Sequence, residues 1–243
     1  MSPISQRLDH PGIYANCVED IDLVASVILS YDSEDLDMIQ NYQYKNDLNL
    51  NKSLKFGFVR GPVWNFGDED MKNGIEEFVK NSQLDIEELD LGKDFEDAAK
   101  AHEIIMNGSI ANSLINYYQA DKSKLHPFTV KRIEAGIPVS ASDYVSAIEK
   151  AKKMEQILRQ LFLKYDTIIT PASPGQAPRD LMNTGNAIFN GYWTMMGVPA
   201  ISLPFLKGRD NLPIGIQFIA NWSEDLKLLE ICKEVLKKEK LAD

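Results

Sequence analysis

Along this chain, segments whose apolar residues recur with the period of an α-helix alternate with short apolar segments. This alternation restricts the possible folds more than any other feature of the sequence. Apolar residues roughly three or four positions apart predict amphipathic helices, whereas short β-branched or aromatic runs predict strands. The alternating order favours an α/β protein with a mixed sheet flanked by helices on both faces. We predict helices over residues 18–30, 68–81, 95–119, 143–165 and 223–238, and strands over 53–61, 84–92, 165–171, 198–205 and 212–220.

Several local features of these helices are predictable. Asn107-Gly108 interrupts the helical pattern of residues 95–119 and predicts a bend or a break. Ser140, three residues before Asp143, is typical of a helix N-cap, and Ser223 is the expected N-cap of the last helix. The helix after Ser140 is expected to turn one set of apolar residues inward: Val145, Ile148, Ile157, Leu158 and Leu161.

The stretch from Ala172 to Pro204 has too many glycines and prolines for a packed helix, yet its end is too apolar for a solvated linker. We predict an ordered loop across the top of the sheet, where α/β proteins place ligand contacts. The strands after it, 198–205 and 212–220, scarcely alternate between polar and apolar residues, which predicts burial on both faces.

Net charge and cysteine content narrow the classes of partner and compartment. The 26 basic and 36 acidic residues give a charge of −10, which argues against binding to nucleic acid or to anionic lipid surfaces. Cys17 and Cys232 stand far apart with no metal-binding spacing, and they predict a reduced protein with free thiols rather than a disulfide. No segment has the character of a signal peptide or of a membrane span, so a cytoplasmic location is expected.

Known catalytic and cofactor motifs are absent from the sequence, which contains no GxSxG, GxxxxGK[ST], GxGxxG or HExxH. His10, His102 and His126 are scattered, and a solvated or singly hydrogen-bonded structural role is favoured for each. The acidic clusters lack the spacing and the glycine of a calcium loop and are interpreted as solvated surface. We therefore expect neither a metal site nor a cofactor.

Four separated motifs resemble one family in the same order along the chain. The first runs from Arg7 to Asp37 and contains "RLDHPG" and then Val18-Glu19-Asp20 ahead of an apolar helix. The others are "TIITPASPGQAP", "MGVPAISLPF" and "LPIGIQFIA". Together they resemble the amidase signature family, whose members are serine hydrolases of amide bonds. The resemblance favours a general amidase over the transamidosome subunit, and it covers residues 1–243 as one C-terminal portion of the family's domain, a partial amidase-signature fold.

The resemblance also implies that the family's catalytic residues lie upstream of the "LDHPG" motif. There the family carries a nucleophilic serine and a second serine in a Gly-Ser-rich segment, and a lysine on a preceding strand. A serine hydroxyl needs an adjacent base and preorganised oxyanion donors to attack an amide. We therefore expect this chain to hold no catalytic residue and to be inactive alone. It is interpreted as a piece of a longer amidase, a reading frame cut by an internal start or a frameshift, or a subunit completed by a separate N-terminal half.

By the same resemblance, residues after "TIITP" are candidates for lining the substrate pocket: Thr170, Pro171, Ser173, Asn190, Tyr192 and Trp193. Each has a structural alternative. Pro171 can simply end a strand, Asn190-Gly191 can form a turn, and the two aromatic residues can belong to the core or its rim. Ser173 has no base near it in sequence and is not expected to be a nucleophile.

Two classes of function remain open from the sequence. The first is the pocket-shaping part of an amide hydrolase, acting on a small amide once completed. The second is a non-catalytic remnant or interaction subunit. In either case strands 200–205 and 214–220 are expected to expose edges and apolar faces that need a cover, supplied by a complementing N-terminal half or by a second copy in a homodimer.

Overall fold

The computed structural model of the chain describes residues 4–34, 38, 50 and 53–240. Within these residues are seven α-helices and five strands. The helices are α1 Val18–Ile28, α2 Glu69–Asn81, α3 Ala98–Asp121, α4 Pro127–Gly136, α5 Ala141–Leu161, α6 Ile188–Met196 and α7 Asp225–Lys240. The strands are β1 Lys55–Phe58, β2 Asp85–Glu88, β3 Thr167–Pro171, β4 Ala200–Lys207 and β5 Pro213–Ile219.

The strands form one mixed sheet in the order β2-β1-β3-β5-β4, which confirms the predicted α/β class. Strands β2, β1 and β3 are parallel, with Phe56 opposite Thr167 in the central pair. Strands β5 and β4 continue the sheet in antiparallel register and form a hairpin. The carboxyl ends of β1 and β3 therefore meet at one edge of the sheet, and the stretch after Pro171 leaves from that edge.

Helices cover both faces of this sheet, as the side chains of β5 demonstrate. Neighbouring residues of a strand point to opposite faces. The ring of Phe218 contacts Phe205, which stacks at 5.0 Å on Phe78 of α2. Gln217, the preceding residue, donates a hydrogen bond to the carbonyl oxygen of Phe189 in α6. Helix α2 thus lies on one face and α6 on the other.

The helix termini follow the sequence in some places and depart from it in others. The Ser140 side chain accepts a bond from the Asp143 N–H at 3.0 Å, which confirms that N-cap. The prediction for Ser223 is wrong, because this residue has a left-handed backbone (φ 65°) in a turn and α7 begins at Asp225. Helix α3 runs through Asn107-Gly108 without a break, since both residues lie against the neighbouring helices α4 and α5.

Burial corrects two predictions about apolar residues. Val145 in α5 is 55% exposed, and the face that α5 buries consists of Ala147, Ala151, Met154 and Leu158. Strand β4 is not buried on both faces, since Ala200, Ser202 and Pro204 are exposed. It is an edge strand, paired only with β5 among the described strands, whereas β5 is covered by neighbours on both sides. Of the two strands predicted to expose an edge, only β4 has one among the described residues, and β2 forms the opposite edge of the sheet.

Two further sequence features concern the surface and the thiols. Cys17 is exposed and Cys232 is buried, and both are free. Residues 35–37 of the acidic run 32–37 lie outside the described residues. Within the described ranges, no helix is both long enough and apolar enough to cross a membrane, and no group of three or more His, Cys, Asp or Glu residues is placed to hold a metal ion.

Candidate functional site

A cavity of about 640 Å³ lies beside the loop that follows β3. Its wall begins at Ala172, directly after the carboxyl end of the strand, and is closed by residues 183–187 and by Asn190 in the first turn of α6. The full lining is Ala172, Ser173, Pro174, Gly175, Gln176, Ala177, Pro178, Asn183, Thr184, Gly185, Asn186, Ala187, Asn190 and Pro213. We call residues 172–187 the site loop.

The cavity lining carries no charged side chain among the described residues. Arg179 and Asp180 belong to the site loop but lie outside the cavity wall. Several polar groups of the wall are already engaged: the Ser173 hydroxyl donates to the Gly175 carbonyl oxygen at 2.7 Å, and Asn186 accepts a bond from the Ile188 N–H. The wall therefore combines small apolar surface with neutral hydrogen-bonding groups.

The sequence-predicted site residues fall into two sets. Ser173 and Asn190 line the cavity. Thr170, Pro171, Tyr192 and Trp193 are buried behind it and do not contribute to its wall. The alternative that Asn190-Gly191 forms a turn is wrong, because both residues lie inside α6.

The residues that sequence reasoning missed are mostly the neutral polar side chains of the loop itself. Gln176, Asn183, Thr184 and Asn186 all line the cavity. A sequence signal for three of them exists, since the segment from Asn183 to Ala187 consists of polar or small residues yet holds no charge. Such a run beside a strand end is typical of a binding loop rather than of a solvated one.

The base of the site loop is held by the start of α2. The Asp68 N–H donates to the Pro174 carbonyl oxygen at 2.7 Å, while the Asp68 carboxylate caps α2 by accepting from the Met71 N–H. Gly175 lies so close to that carboxylate that a Cβ there would overlap it. A side chain at 175 would therefore have to displace the Asp68 carboxylate from its cap on α2.

Helix α6 is fixed from behind by buried groups. Gln217 donates to the Pro171 carbonyl oxygen at 3.2 Å and to that of Phe189 at 3.4 Å, which joins the end of β3 to α6. Tyr192 and Trp193 pack with ring centroids 4.8 Å apart. The Tyr192 hydroxyl, the Trp193 Nε1–H and the Thr170 hydroxyl are buried, and none has a partner in hydrogen-bonding geometry among the described residues. The Tyr192 hydroxyl nevertheless lies close to Thr170 and to Trp193. Burial raises the pKa of Tyr192, so its phenol stays neutral.

His102 of α3 packs against α6 at Gly191, where a Cβ would come within 2.7 Å of the imidazole Cε1 atom. Burial, assisted by the positive charge of Arg132 on α4 and opposed by Glu103, lowers the pKa of His102 to about 4. The imidazole is therefore neutral near pH 7. Its position behind the cavity wall gives it a packing role in this part of the molecule.

This shifted pKa predicts a pH-dependent stability. Because the folded-state pKa lies below the unfolded value, the contribution of neutral His102 is complete above about pH 6.5 and is lost as the pH falls toward 4. We expect a loss of roughly 2 kcal/mol in unfolding free energy over that interval. Urea unfolding at several pH values, compared with His102→Gln, measures the share due to this group. Parallel curves for the two proteins between pH 6.5 and pH 4 would contradict the assignment.

A second and larger cavity, of about 1360 Å³, lies at the opposite end of α6 and shares no lining residue with the first. There the Arg7 guanidinium pairs with Glu155 and donates from Nε to the Met195 carbonyl oxygen at 3.0 Å. Trp222 Nε1 donates to the Met196 carbonyl oxygen at 2.8 Å. These contacts supply hydrogen-bond donors to the carbonyl groups at the carboxyl end of α6. None of the sequence-predicted site residues lines this second cavity.

Comparisons with known proteins agree with this architecture. A family model described as Amidase matches residues 1–229. The A subunit of glutamyl-tRNA(Gln) amidotransferase from Aliarcobacter butzleri (strain RM4018) is 28% identical over 258 residues, which cover 93% of this chain and 57% of that protein. Its counterpart from Agathobacter rectalis is 26% identical, with coverages of 91% and 51%. The chain thus spans about half the length of the curated relatives that it matches.

Solved structures share the fold. A crystal structure of an amidase superposes with a TM-score of 0.79 at 17% identity, covering 94% of this chain and 52% of that one. The A subunit of glutamyl-tRNA(Gln) amidotransferase from Thermotoga maritima gives a TM-score of 0.67 at 21% identity, with coverages of 93% and 52%. At these identities the likeness concerns the fold, and again it extends over about half of each relative.

Proposed function

Because the chain belongs to the amidase family, we propose that it forms the C-terminal part of an amide-bond hydrolase and supplies one wall of the substrate pocket. The observation that carries this proposal is the uncharged cavity at the carboxyl end of β3. Neutral donors and acceptors on a partly apolar wall suit an uncharged amide, whose C=O and N–H groups need partners but no counter-ion. We take residues 1–243 to form one domain of that enzyme, because a single cluster of buried apolar residues joins the sheet to its helices.

In this proposal the wall positions a substrate and the chemistry comes from elsewhere. The family resemblance assigns the nucleophilic serine, the second serine and the lysine to a segment outside this sequence. Ser173 does not replace them, since its hydroxyl donates to the Gly175 carbonyl oxygen and, within the described part of the chain, neither a histidine nor a lysine lines the cavity. The side chains of the site loop orient the amide and exclude water, while the completing segment supplies the attack and the oxyanion donors.

Surface features support a completing polypeptide. Strand β4 has an open edge, and an unpaired strand edge is a template for further pairing. Helix α1 exposes an apolar face in which Leu23 is 67% and Val27 is 76% accessible. Large apolar side chains gathered on one exposed face mark an interaction surface. Since the relatives are about twice as long as this chain, the occupant that we propose is the other half of the amidase fold rather than a second copy.

A measurement of ammonia release tests this function. The chain alone is expected to release none above background, because loss of a whole catalytic triad typically removes about 10⁶-fold of the rate. Co-expression with the polypeptide encoded immediately upstream should restore release from small neutral amides. If the folded chain gives no ammonia with or without that polypeptide, the proposed function is wrong. Free glutamine belongs in the substrate panel, because several relatives are amidotransferase subunits.

A pair of variants in the active preparation separates the cavity from the rest of the loop. Thr184→Glu places a carboxylate in the neutral wall and should raise KM for neutral amides roughly tenfold, because a poorly compensated charge opposes the closure of the pocket. Leu181→Glu is the matched control, since Leu181 is 97% exposed and lies outside the cavity wall. Equal effects of the two variants would mean that the cavity is not where the amide binds.

If the chain is instead a non-catalytic subunit, its exposed surfaces would still bind a partner and amide hydrolysis would be absent. The molar mass of the complex in solution distinguishes a completing polypeptide from a second copy of the chain. A complex of the chain with the upstream polypeptide supports completion of the fold, whereas a dimer of the chain alone would support a second copy as the partner.

A further inference from the structure

The turn that connects β4 to β5 reaches back to the site loop. We call residues 208–212 the hairpin tip. Its Asp210 carboxylate accepts hydrogen bonds from Gln176 Nε2 and, at 3.2 Å, from Arg179 Nε, and it also pairs with Arg179 Nη2. The Asp210 N–H donates to Gln176 Oε1 at 3.1 Å. One residue of the hairpin tip therefore engages two residues of the site loop through both its side chain and its backbone.

The hairpin tip is itself fixed to α2. Arg209 donates to the Asp70 carboxylate from its backbone N–H at 2.9 Å and from Nε at 3.1 Å. Since Asp68, two residues earlier, holds Pro174 of the site loop, the three segments form a closed ring: loop to hairpin tip, hairpin tip to α2, and α2 to loop. A ring of this kind has no free end within it, so movement of one segment requires a break at one of the three joints.

The two joints of the site loop hold different parts of it. Asp68 fixes the base at Pro174 and Gly175, which also follow directly from β3. Asp210 fixes the next four residues, through Gln176 and Arg179. Gln176 is the link to the cavity, because it lines the wall and is also bound by Asp210. Asp210 itself is not part of the wall.

We propose that Asp210 is a positioning residue that sets where the site loop stands over the cavity, acting through Gln176 and Arg179. That the loop belongs to a substrate pocket rests on the proposed function, whereas the anchoring of the loop does not. Arg179 and Gln176 in turn lower the pKa of Asp210, so the anchor persists at mildly acidic pH. Because Arg179 is 82% exposed, the ionic part of the anchor should weaken as salt rises.

Chymotrypsin cleavage of the native chain measures this anchoring, because Leu181 and Met182 are 97% and 89% exposed immediately beyond the anchored residues. A protease needs a loop that can detach into its active site, so the cleavage rate reports local opening. Asp210→Ala should accelerate cleavage at these two positions about tenfold. Its midpoint in urea should remain near the wild-type value, since exposed pairs add little to global stability.

Variants that restore the Asp210 contacts distinguish a positioning role of Asp210 from a general loss of local stability. Asp210→Glu and the reversed pair Arg179→Asp with Asp210→Arg should return the cleavage rate at least halfway to the wild-type value. Lys237→Ala is the matched control, because it removes an exposed pair with Glu234 on the remote helix α7. Unchanged cleavage in Asp210→Ala, equal acceleration in the control, or no rescue by either variant would overturn the proposal. Failure of the proposed function is seen separately, as absent ammonia release with an anchored loop.

Discussion

Gly136→Ala is expected to destabilise the folded protein by about 3 kcal/mol, a large effect for one added methyl group. Gly136 is the last residue of α4, and a Cβ there would overlap the backbone carbonyl group of Asn107 in α3. It would also lie 2.7 Å from the Cβ of Ala111. A backbone carbonyl inside a helix cannot rotate away as a side chain can, so the two helices must separate. Urea unfolding followed by circular dichroism measures the change.

Gly74→Ala in α2 is the matched control for that prediction. The nearest atom to a Cβ at this position is Cδ1 of Leu206 at 3.2 Å, at the end of a flexible side chain. Glycine inside a helix is less favourable than alanine by roughly 0.5–1 kcal/mol, which offsets a small rearrangement. We expect stability within about 1 kcal/mol of wild type. Equal losses for both variants would mean that helix contact at Gly136 is not the cause.

Trp193→Ala should have the largest effect, about 4 kcal/mol, because it removes the largest fully buried side chain among the described residues. The indole packs on Tyr192 in α6 and is fully buried, so its loss leaves a void in the core. The unfolding free energy in urea reports the loss. In a catalytically competent preparation the same variant should also lower activity, since Asn190 on this helix lines the cavity.

Two variants check the cause of the Trp193 effect. Trp193→Phe keeps most of the volume and removes an indole N–H that has no hydrogen-bond partner among the described residues, so a loss below about 2 kcal/mol is expected. Tyr14→Ala removes a fully exposed ring and should leave stability near wild type. A Trp193→Ala protein as stable as Tyr14→Ala would refute the packing argument.

The elements of this fold could be predicted where a local signal decided them. Helix α5 has an N-cap serine, and helix α2 shows buried Met71 and Ile75 at helical spacing, and both are recognisable from sequence alone. Helix α6 was missed because it lies in a stretch rich in glycine and proline. The signal that ends it was nevertheless present: Gly197 adopts the left-handed conformation (φ 68°) that closes many helices, and Pro199 follows it closely.

Some features of the candidate site could likewise be predicted from sequence, and others could not. Its location after β3 and the participation of Ser173 and Asn190 could be predicted, because strand ends and small polar residues carry that information. The burial of Tyr192 and Trp193 in the core confirms one of the two alternatives left open for them, and the sequence alone could not decide between the two because the outcome depends on how α6 is rotated in the fold. The bond between Gln176 and Asp210 joins residues 34 positions apart, and no local pattern specifies such a partner.

The arrangement of the sheet also has a consequence for the order in which it assembles. Strands β4 and β5 are joined by a tight turn, so their pairing closes only a short loop. The central pairing of β1 with β3 joins Phe56 to Thr167, so it closes a loop that contains all the residues between these two positions. Since the entropy lost on closure grows with the length of the loop, early contacts should form at the β4 edge and spread inward through β3. A folding intermediate would then expose the edge of β3 until β1 pairs with it.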